Sequence, residues 1–187
     1  MLNYDWRQNL VDATFAEWFV VAAYLIAAVA AAMAAHSSLM SRRSEDRLFW
    51  SLVVACLAFL AVNEVLDLQT LLTVIGKQAA IDGGWYGQRR TVQFWFIAAL
   101  IGAVVIGGLA ALRLTHRSAF DVRLAMVGLA FIMAFIVIRA ASFHHMDELL
   151  GRSLSVIDYG TVQEVAGIAI VAWAARSYVR KSRVKRR

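Results

Sequence analysis

The chain has 187 residues, of which 61% are hydrophobic, and its mean hydropathy is +0.63. An ordinary soluble domain is about 45–50% apolar, so this composition excludes a soluble globular protein. A single cysteine, Cys56, excludes an intramolecular disulfide scaffold. The net charge is +6, but the apolar excess argues against a soluble nucleic-acid-binding protein.

Five apolar segments follow one another along the chain. Each is near the length of about 20 residues that a helix needs to cross a bilayer. Helices are expected because the sequence lacks the period-two alternation of a membrane β-barrel. We therefore predict an all-α, polytopic five-helix bundle forming one membrane domain over 1–187, with a basic tail at 176–187. The predicted spans are about 15–35, 48–72, 92–114, 122–146 and 156–175.

Basic residues predict how these helices lie in the membrane. Thirteen of the 19 Lys and Arg fall in two connecting loops and the carboxyl-terminal tail, all on one side of the bundle. The positive-inside rule places this side in the cytoplasm, so the amino terminus is outside and the carboxyl terminus is cytoplasmic. The predicted location is the bacterial inner membrane.

Small residues predict where helices approach one another, since packing in lipid depends mainly on close van der Waals contact. The fifth span has Gly167 on one stripe with Glu164, and the third has a stripe of small residues at four-residue spacing. We interpret both as packing faces within the bundle. The alternative for the third span is contact with an oligomer or a partner protein. Its stripe consists of Ala99, Ala103, Gly107 and Ala111.

Aromatic residues near the span ends fit interfacial belts, where amphipathic rings sit at headgroup level. Near the predicted outer surface these are Trp18, Trp85, Tyr86 and Trp95. Near the predicted inner surface they are Trp50, Trp173 and Tyr178.

Charged residues inside the spans point to a candidate site, because each costs a few kcal/mol near the bilayer centre unless it is paired or hydrated. At a rise of 1.5 Å per residue, Glu64, Arg139 and Glu164 lie about 10–12 Å below the outer surface on three helices. The planar fork of Arg139 is expected to bind both carboxylates. Asp67 lies one turn shallower than Glu64 on the same face.

Further polar residues lie between these charged residues and the predicted outer surface. The fourth span continues from Arg139 into a run of Ser, His and Asp, and other spans carry amides at similar levels. We predict a pocket that opens outward, with a charged floor and a polar mouth. The additional lining residues are Asn63, Gln93, Ser142, His144, His145, Asp147 and Gln163.

Three hypotheses account for these residues. A buried ion-pair network that fixes helix register would make the protein a non-catalytic subunit or binding protein. A metal-dependent hydrolase acting on a lipid or lipid-linked substrate would use bound zinc or iron to activate water. An ion or proton pathway is the third. For the hydrolase, the predicted catalytic residues are Glu64, Asp67, Arg139 and Glu164, and the predicted metal ligands are His144, His145 and Asp147.

The remaining histidines and the tail bear on cofactors and partners. His36 and His116 match in depth but lie at helix ends beside basic loops, so we do not expect a haem. The resident cofactor is otherwise unknown. The tail at 176–187 is expected to lie against anionic membrane lipid, with no nucleic-acid partner.

The chain resembles other membrane proteins in two ways. The segments Asn63-Glu64-x-x-Asp67, Arg139-Ala-Ala-Ser142-Phe-His144-His145-x-Asp147 and Gln163-Glu164-x-x-Gly167 resemble an uncharacterised family of small five-span bacterial membrane proteins. This likeness covers nearly the whole chain and implies a free-standing bundle without naming an activity. Separately, Ser142-Phe-His144 with Asp147-Glu148-Leu149 resembles part of the alkaline ceramidase pattern, which implies a membrane zinc hydrolase. Ceramidases also carry a later histidine pair, whereas this sequence has no histidine after His145.

Overall fold

A computed structural model describes residues 15–40, 44–66, 74–76, 78–79, 81–84, 87, 89–115, 118–142 and 155–184. These residues are almost entirely helical, and none of them is in a β-strand. The prediction of an all-α protein is confirmed. The long helices are α1 (Phe15–Met40), α2 (Ser44–Leu66), α3 (Arg89–Thr115), α4 (Phe120–Ser142) and α5 (Ser155–Val184).

Four segments of the described chain are long and apolar enough to cross a membrane. They are Phe15–Met40, Ser44–Leu66, Phe94–Arg113 and Phe120–Arg139. These four indicate a multi-pass membrane protein, as the composition predicts. The helix α5 has 30 residues but is not among them.

Several helices extend beyond the predicted spans. The helix α1 continues to Met40, α2 begins at Ser44, and α5 continues to Val184 through the first part of the predicted tail. Hydropathy marks only the apolar part of a helix. The helical backbone runs on through polar residues such as Ser38 and Tyr178, which pack against neighbouring helices.

The five helices form a ring in chain order. The helix α1 packs against α2 and α5, and α5 packs against α4, whereas α3 joins α4 and α2 only loosely. The helices α1 and α5 run parallel, because Tyr24 meets Glu164 and Ser38 meets Tyr178, both at a separation of 140 residues. These two contacts lie about 21 Å apart along the helix axis.

Alanines on α1 form much of the core. Ala27, Ala31 and Ala34 are fully buried, and small side chains there let α2 and α5 approach closely. The aromatic-belt interpretation is wrong for Trp50 and Tyr178. Both are buried, and their rings contact each other at a centroid distance of 5.6 Å.

Glycine allows the closest helix contact, between α4 and α5. A Cβ atom on Gly128 would lie 2.7 Å from the carbonyl oxygen of Gly167, and one on Gly167 would lie 2.8 Å from that of Gly128. The packing role predicted for Gly167 is confirmed. The prediction that the third-span stripe packs within the bundle is wrong for Ala99, Ala103 and Gly107, which are exposed, and the alternative contact with an oligomer or a partner protein stays a prediction.

Candidate functional site

Four helices place an ionisable side chain near the end of the ring where α1 and α5 begin. These residues, called the charged cluster, are Tyr24 of α1, Glu64 of α2, Arg139 of α4 and Glu164 of α5. Two direct contacts hold them together, one between α1 and α5 and one between α2 and α4. Glu64 and Arg139 also lie within electrostatic range of Glu164, so we treat the four residues as one group.

The first contact is buried. The Tyr24 hydroxyl donates a hydrogen bond of 2.6 Å to Oε1 of Glu164, and only 1% and 3% of the two residues is exposed. Glu164 lies one turn from Gly167, on the face of α5 that meets its neighbours. Burial of a phenol requires a partner for its O–H group, and here the partner is a carboxyl.

The second contact is looser and more open. Nη1 of Arg139 lies 3.7 Å from Oε2 of Glu64, and 37% of the arginine side chain is exposed, against 11% of the glutamate side chain. The guanidinium also lies over the ring of Phe135, 5.9 Å from its centroid. The ion-pair distance is longer than the 2.7–2.9 Å of a strong charge-assisted hydrogen bond, so the pair attracts mainly through space.

The predicted fork of Arg139 between two carboxylates is half right. Arg139 pairs with Glu64, but Glu164 accepts its hydrogen bond from Tyr24. Among the described residues, no cationic group lies within 4 Å of the Glu164 carboxyl. Depth along each helix predicts that three charges share one level, but it carries no information on which helices face each other.

Tyr24 is absent from the predicted site because it lies in an apolar span among alanines. A tyrosine well inside a span, rather than near its end, is the signal that could have found it. Its partner follows 140 residues later, so sequence spacing alone could not have joined them.

The other predicted pocket residues divide into three groups. Asn63 is half-buried beside Glu64, and Gln163 donates a 3.1 Å hydrogen bond from Nε2 to the carbonyl oxygen of Phe131, which ties α5 to α4. Gln93 and Ser142 lie on α3 and α4, but their side chains are not described. Four predicted residues lie outside the described residues: Asp67, His144, His145 and Asp147.

The predicted metal site therefore stays a prediction. Within the described part of the chain, no three His, Cys, Asp or Glu side chains come together in a way that could hold a metal ion. All three predicted metal ligands, and one of the predicted catalytic acids, lie outside that part.

A second polar group lies at the opposite end, where α1 and α5 finish. This basic-end network consists of Ser38, Asp46, Asp121, Tyr178 and Lys181. Tyr178 accepts a 3.0 Å hydrogen bond from Ser38 and donates one of 2.9 Å to Oδ2 of Asp46. Lys181 Nζ contacts both carboxylate oxygens of Asp121, at 2.8 and 3.0 Å. The sequence does not predict this network, because acids such as Asp46 and Asp121 are common in the first turn of a helix.

Comparison with known proteins finds no matching family model, no curated relative and no similar solved structure. A functional assignment therefore rests on the residues and contacts of this chain.

Proposed function

We propose that the protein is a five-span membrane protein that provides a proton pathway across the bilayer, and that the charged cluster, in the outer half of the bilayer, binds the proton and passes it on. The hydrogen bond from Tyr24 to the buried Glu164 carboxyl, separate from the Arg139–Glu64 pair, carries this proposal. A metal-dependent hydrolase and a purely structural network are the competing functions.

The packing of α5 supports a fifth span. With 30 residues it is about 45 Å long, enough to cross a bilayer. It lies against both α1 and α4, and its charged residue Glu164 is buried between helices. A helix whose polar groups face protein needs less apolar surface than one surrounded by lipid.

Accessibility labelling tests this topology. With Cys56 replaced by serine, a thiol at Asp82 should react with a membrane-impermeant reagent in intact cells, and one at Glu45 should react only after permeabilisation. The opposite pattern would overturn the orientation without bearing on the charged cluster.

Charge balance supports the proton site. Arg139 and Glu64 together are neutral, and no cation of the described residues lies within 4 Å of Glu164. Within that part of the chain, an ionised Glu164 would therefore add a buried charge without a direct counter-ion, which is costly in a low dielectric. A protonated Glu164 removes that cost, since a carboxylic acid can accept from Tyr24 and still donate its own proton. A structural network would be expected to bring the guanidinium to both acids.

Glu64 is the second acid of the cluster and the group that we propose receives a proton from Glu164. It lies within electrostatic range of Glu164 and Tyr24, and its partner Arg139 is partly exposed. Because the Arg139–Glu64 contact is long, the guanidinium can compensate whichever carboxylate is ionised. This exchange of charge between two acids is what a proton relay requires.

Proton flux into proteoliposomes tests the proposal. Protein in vesicles with an internal pH-sensitive dye should acidify the lumen when a potassium diffusion potential is imposed, and Glu164→Gln should abolish the signal. Tyr24→Phe should reduce it by removing the hydrogen bond while keeping the ring. Glu45→Gln, an exposed acid at the opposite end, is the matched control and should leave flux unchanged.

Infrared difference spectroscopy tests the protonation state independently of flux. The parent should show a carboxylic-acid C=O band that disappears in Glu164→Gln and shifts in Tyr24→Phe. Absence of that band from the parent, or parental flux in Glu164→Gln, would contradict the proposal.

The metal-dependent hydrolase is the second candidate. It is favoured by two carboxyl groups at the same end of the bundle, Glu164 and the Glu64 that pairs with Arg139, since Arg139 precedes His144 by five residues in the sequence. Elemental analysis of purified protein separates the candidates. Stoichiometric zinc or iron that is lost in a His144→Ala/His145→Ala variant would establish the metal site. Metal-free protein with proton flux would exclude the hydrolase.

A further inference from the structure

A groove of about 490 Å³ lies between α1 and α5 on the surface of the bundle, at the basic end. Its lining surface is almost wholly apolar and includes Val29, Met33, Met40 and Val179. The volume is in the range of about 300–1,000 Å³ that small-molecule sites occupy. From Val29 to Met40 the groove follows α1 for about 16 Å, a shape suited to a chain rather than a compact ligand.

Two groups that can bind an anion lie at this groove. Arg183, near the end of α5, and His36, near the end of α1, both line it. Arg183 differs in its surroundings from Lys181, which is already bound to Asp121. Within the described part of the chain, no carboxylate lies within 4 Å of Arg183. The guanidinium fork suits the planar, bidentate recognition of a phosphate.

A direct contact between the two helices borders the groove. Ser37, which lines it, is hydrogen-bonded to Ser182 of α5, so α1 and α5 are joined at this level. The groove is therefore a feature of how two parallel helices are fastened together.

We propose that this groove binds one anionic phospholipid, with an acyl chain along α1 and α5 and the phosphate held by Arg183 and His36. Charge complementarity selects this occupant. A free anion would gain nothing from the apolar walls, and a zwitterionic lipid would gain little net attraction from the arginine. This site goes beyond the proton-binding proposal, since it lies at the other end of the bundle and needs only that the protein resides in a membrane.

Native mass spectrometry of the full-length protein in detergent tests the headgroup. Phosphatidylglycerol should bind more tightly than phosphatidylcholine of the same chain length, and Arg183→Gln should lower the phosphatidylglycerol affinity about tenfold, because it removes the charge-assisted contact to the phosphate. Arg180→Gln is the matched control, an exposed arginine on the same helix that does not line the groove, and should change the affinity less than about twofold because it makes no such contact.

The acyl part of the site has its own pair of variants. Ala32→Phe should fill the groove and weaken both lipids, whereas Ala22→Phe, on an exposed position of α1 outside the groove, should not. Unchanged melting temperatures show that each variant is folded. Equal affinities for the two lipids, equal losses in Arg180→Gln and Arg183→Gln, unchanged binding in Ala32→Phe, or displacement of phosphatidylglycerol by inorganic phosphate would each overturn the proposal.

Discussion

The two polar ends of the bundle contain similar residue types and hold them in different ways. At the basic end, Tyr178 donates to Asp46 at 2.9 Å, and Lys181 reaches both oxygens of Asp121. In the charged cluster, Arg139 stands 3.7 Å from Glu64, and the more deeply buried acid, Glu164, is bound to a phenol. The basic-end network brings its cation into direct contact with Asp121, whereas in the charged cluster the cation stands 3.7 Å from Glu64 and the 2.6 Å bond to Glu164 comes from a neutral phenol.

The role of a buried carboxylate depends on which group binds it, and counting the charges at each end does not give that information. Short contacts to a cation fix a carboxylate in one protonation state and one geometry, which suits a structural role. The short contacts of Lys181 to Asp121 are of this kind, so we assign a structural role to that pair. Glu164 has no such contact within the described chain, and for this reason the proton-binding proposal concerns Glu164.

The largest effect is expected from adding a methyl group where α4 crosses α5, because this pair carries residues of both ends. Gly167→Ala would place Cβ 2.8 Å from the backbone oxygen of Gly128, and backbone cannot yield as a side chain can. We expect a loss of about 1–3 kcal/mol in the free energy of unfolding, measured by thermal denaturation in detergent.

Gly107→Ala on α3 is the control for that substitution. No atom lies within 4 Å of its added Cβ, and alanine is the better helix former. Equal destabilisation by the two variants would show that the α4–α5 contact is not the special one.

The second effect isolates the basic end. Asp46→Ala should cost about 1–2 kcal/mol, because it removes the acceptor of the buried Tyr178 hydroxyl. Glu45→Ala is the control, because it removes a neighbouring, exposed acid from the same first turn. Both variants lose the favourable interaction of an acid with the helix dipole, but only Asp46→Ala also loses the contact with Tyr178. Equal melting temperatures of Asp46→Ala and Glu45→Ala would show that the Tyr178–Asp46 hydrogen bond does not stabilise the basic end.

A smaller effect is expected at the loose ion pair. Removing one partner of a fully buried pair costs about 3–5 kcal/mol, but Arg139 is partly exposed and its contact is long. Water can therefore screen the remaining Glu64, and Arg139→Ala should cost about 1 kcal/mol. Adding Glu64→Gln should recover most of that loss in the same melting assay. A loss as large as that of Gly167→Ala would mean that the pair is structural.

The smallest effect on stability is expected at Glu164. Glu164→Gln keeps the shape of the side chain and an acceptor for Tyr24, so the free energy of unfolding should change by less than about 0.5 kcal/mol. Its proton flux should nevertheless be lost. Strong destabilisation by this isosteric substitution, seen as a large fall in melting temperature, would show that the ionised carboxylate is needed for folding.

The sequence predicts which charged residues lie at the same level along their helices, but it does not predict which of them contact each other. Charges in apolar segments identify Glu64, Arg139 and Glu164, since a burial cost applies to each residue separately. Their partners depend on helix rotation and on which helices are neighbours. For this reason the predicted site lacks Tyr24 and assigns Glu164 the wrong partner.

Small residues show the same limit. Gly167 on α5 and the four-residue stripe on α3 give similar sequence signals, and both predict packing within the bundle. Only Gly167 meets another helix, because Gly128 of α4 lies opposite it, whereas the α3 stripe faces away from the rest of the described chain. A small residue allows another helix to pack closely, but it does not determine which helix, if any, packs there.

The sequence by itself determined the helical class and the apolar segments, because these follow from the cost of exposing backbone and charge to lipid, residue by residue. Tertiary structure decided the parallel register of α1 and α5, which joins residues 140 positions apart at both ends. It also decided that Tyr24, rather than Arg139, holds Glu164. Those contacts depend on side chains fitting between helices, a property of pairs of surfaces that no single segment of sequence contains.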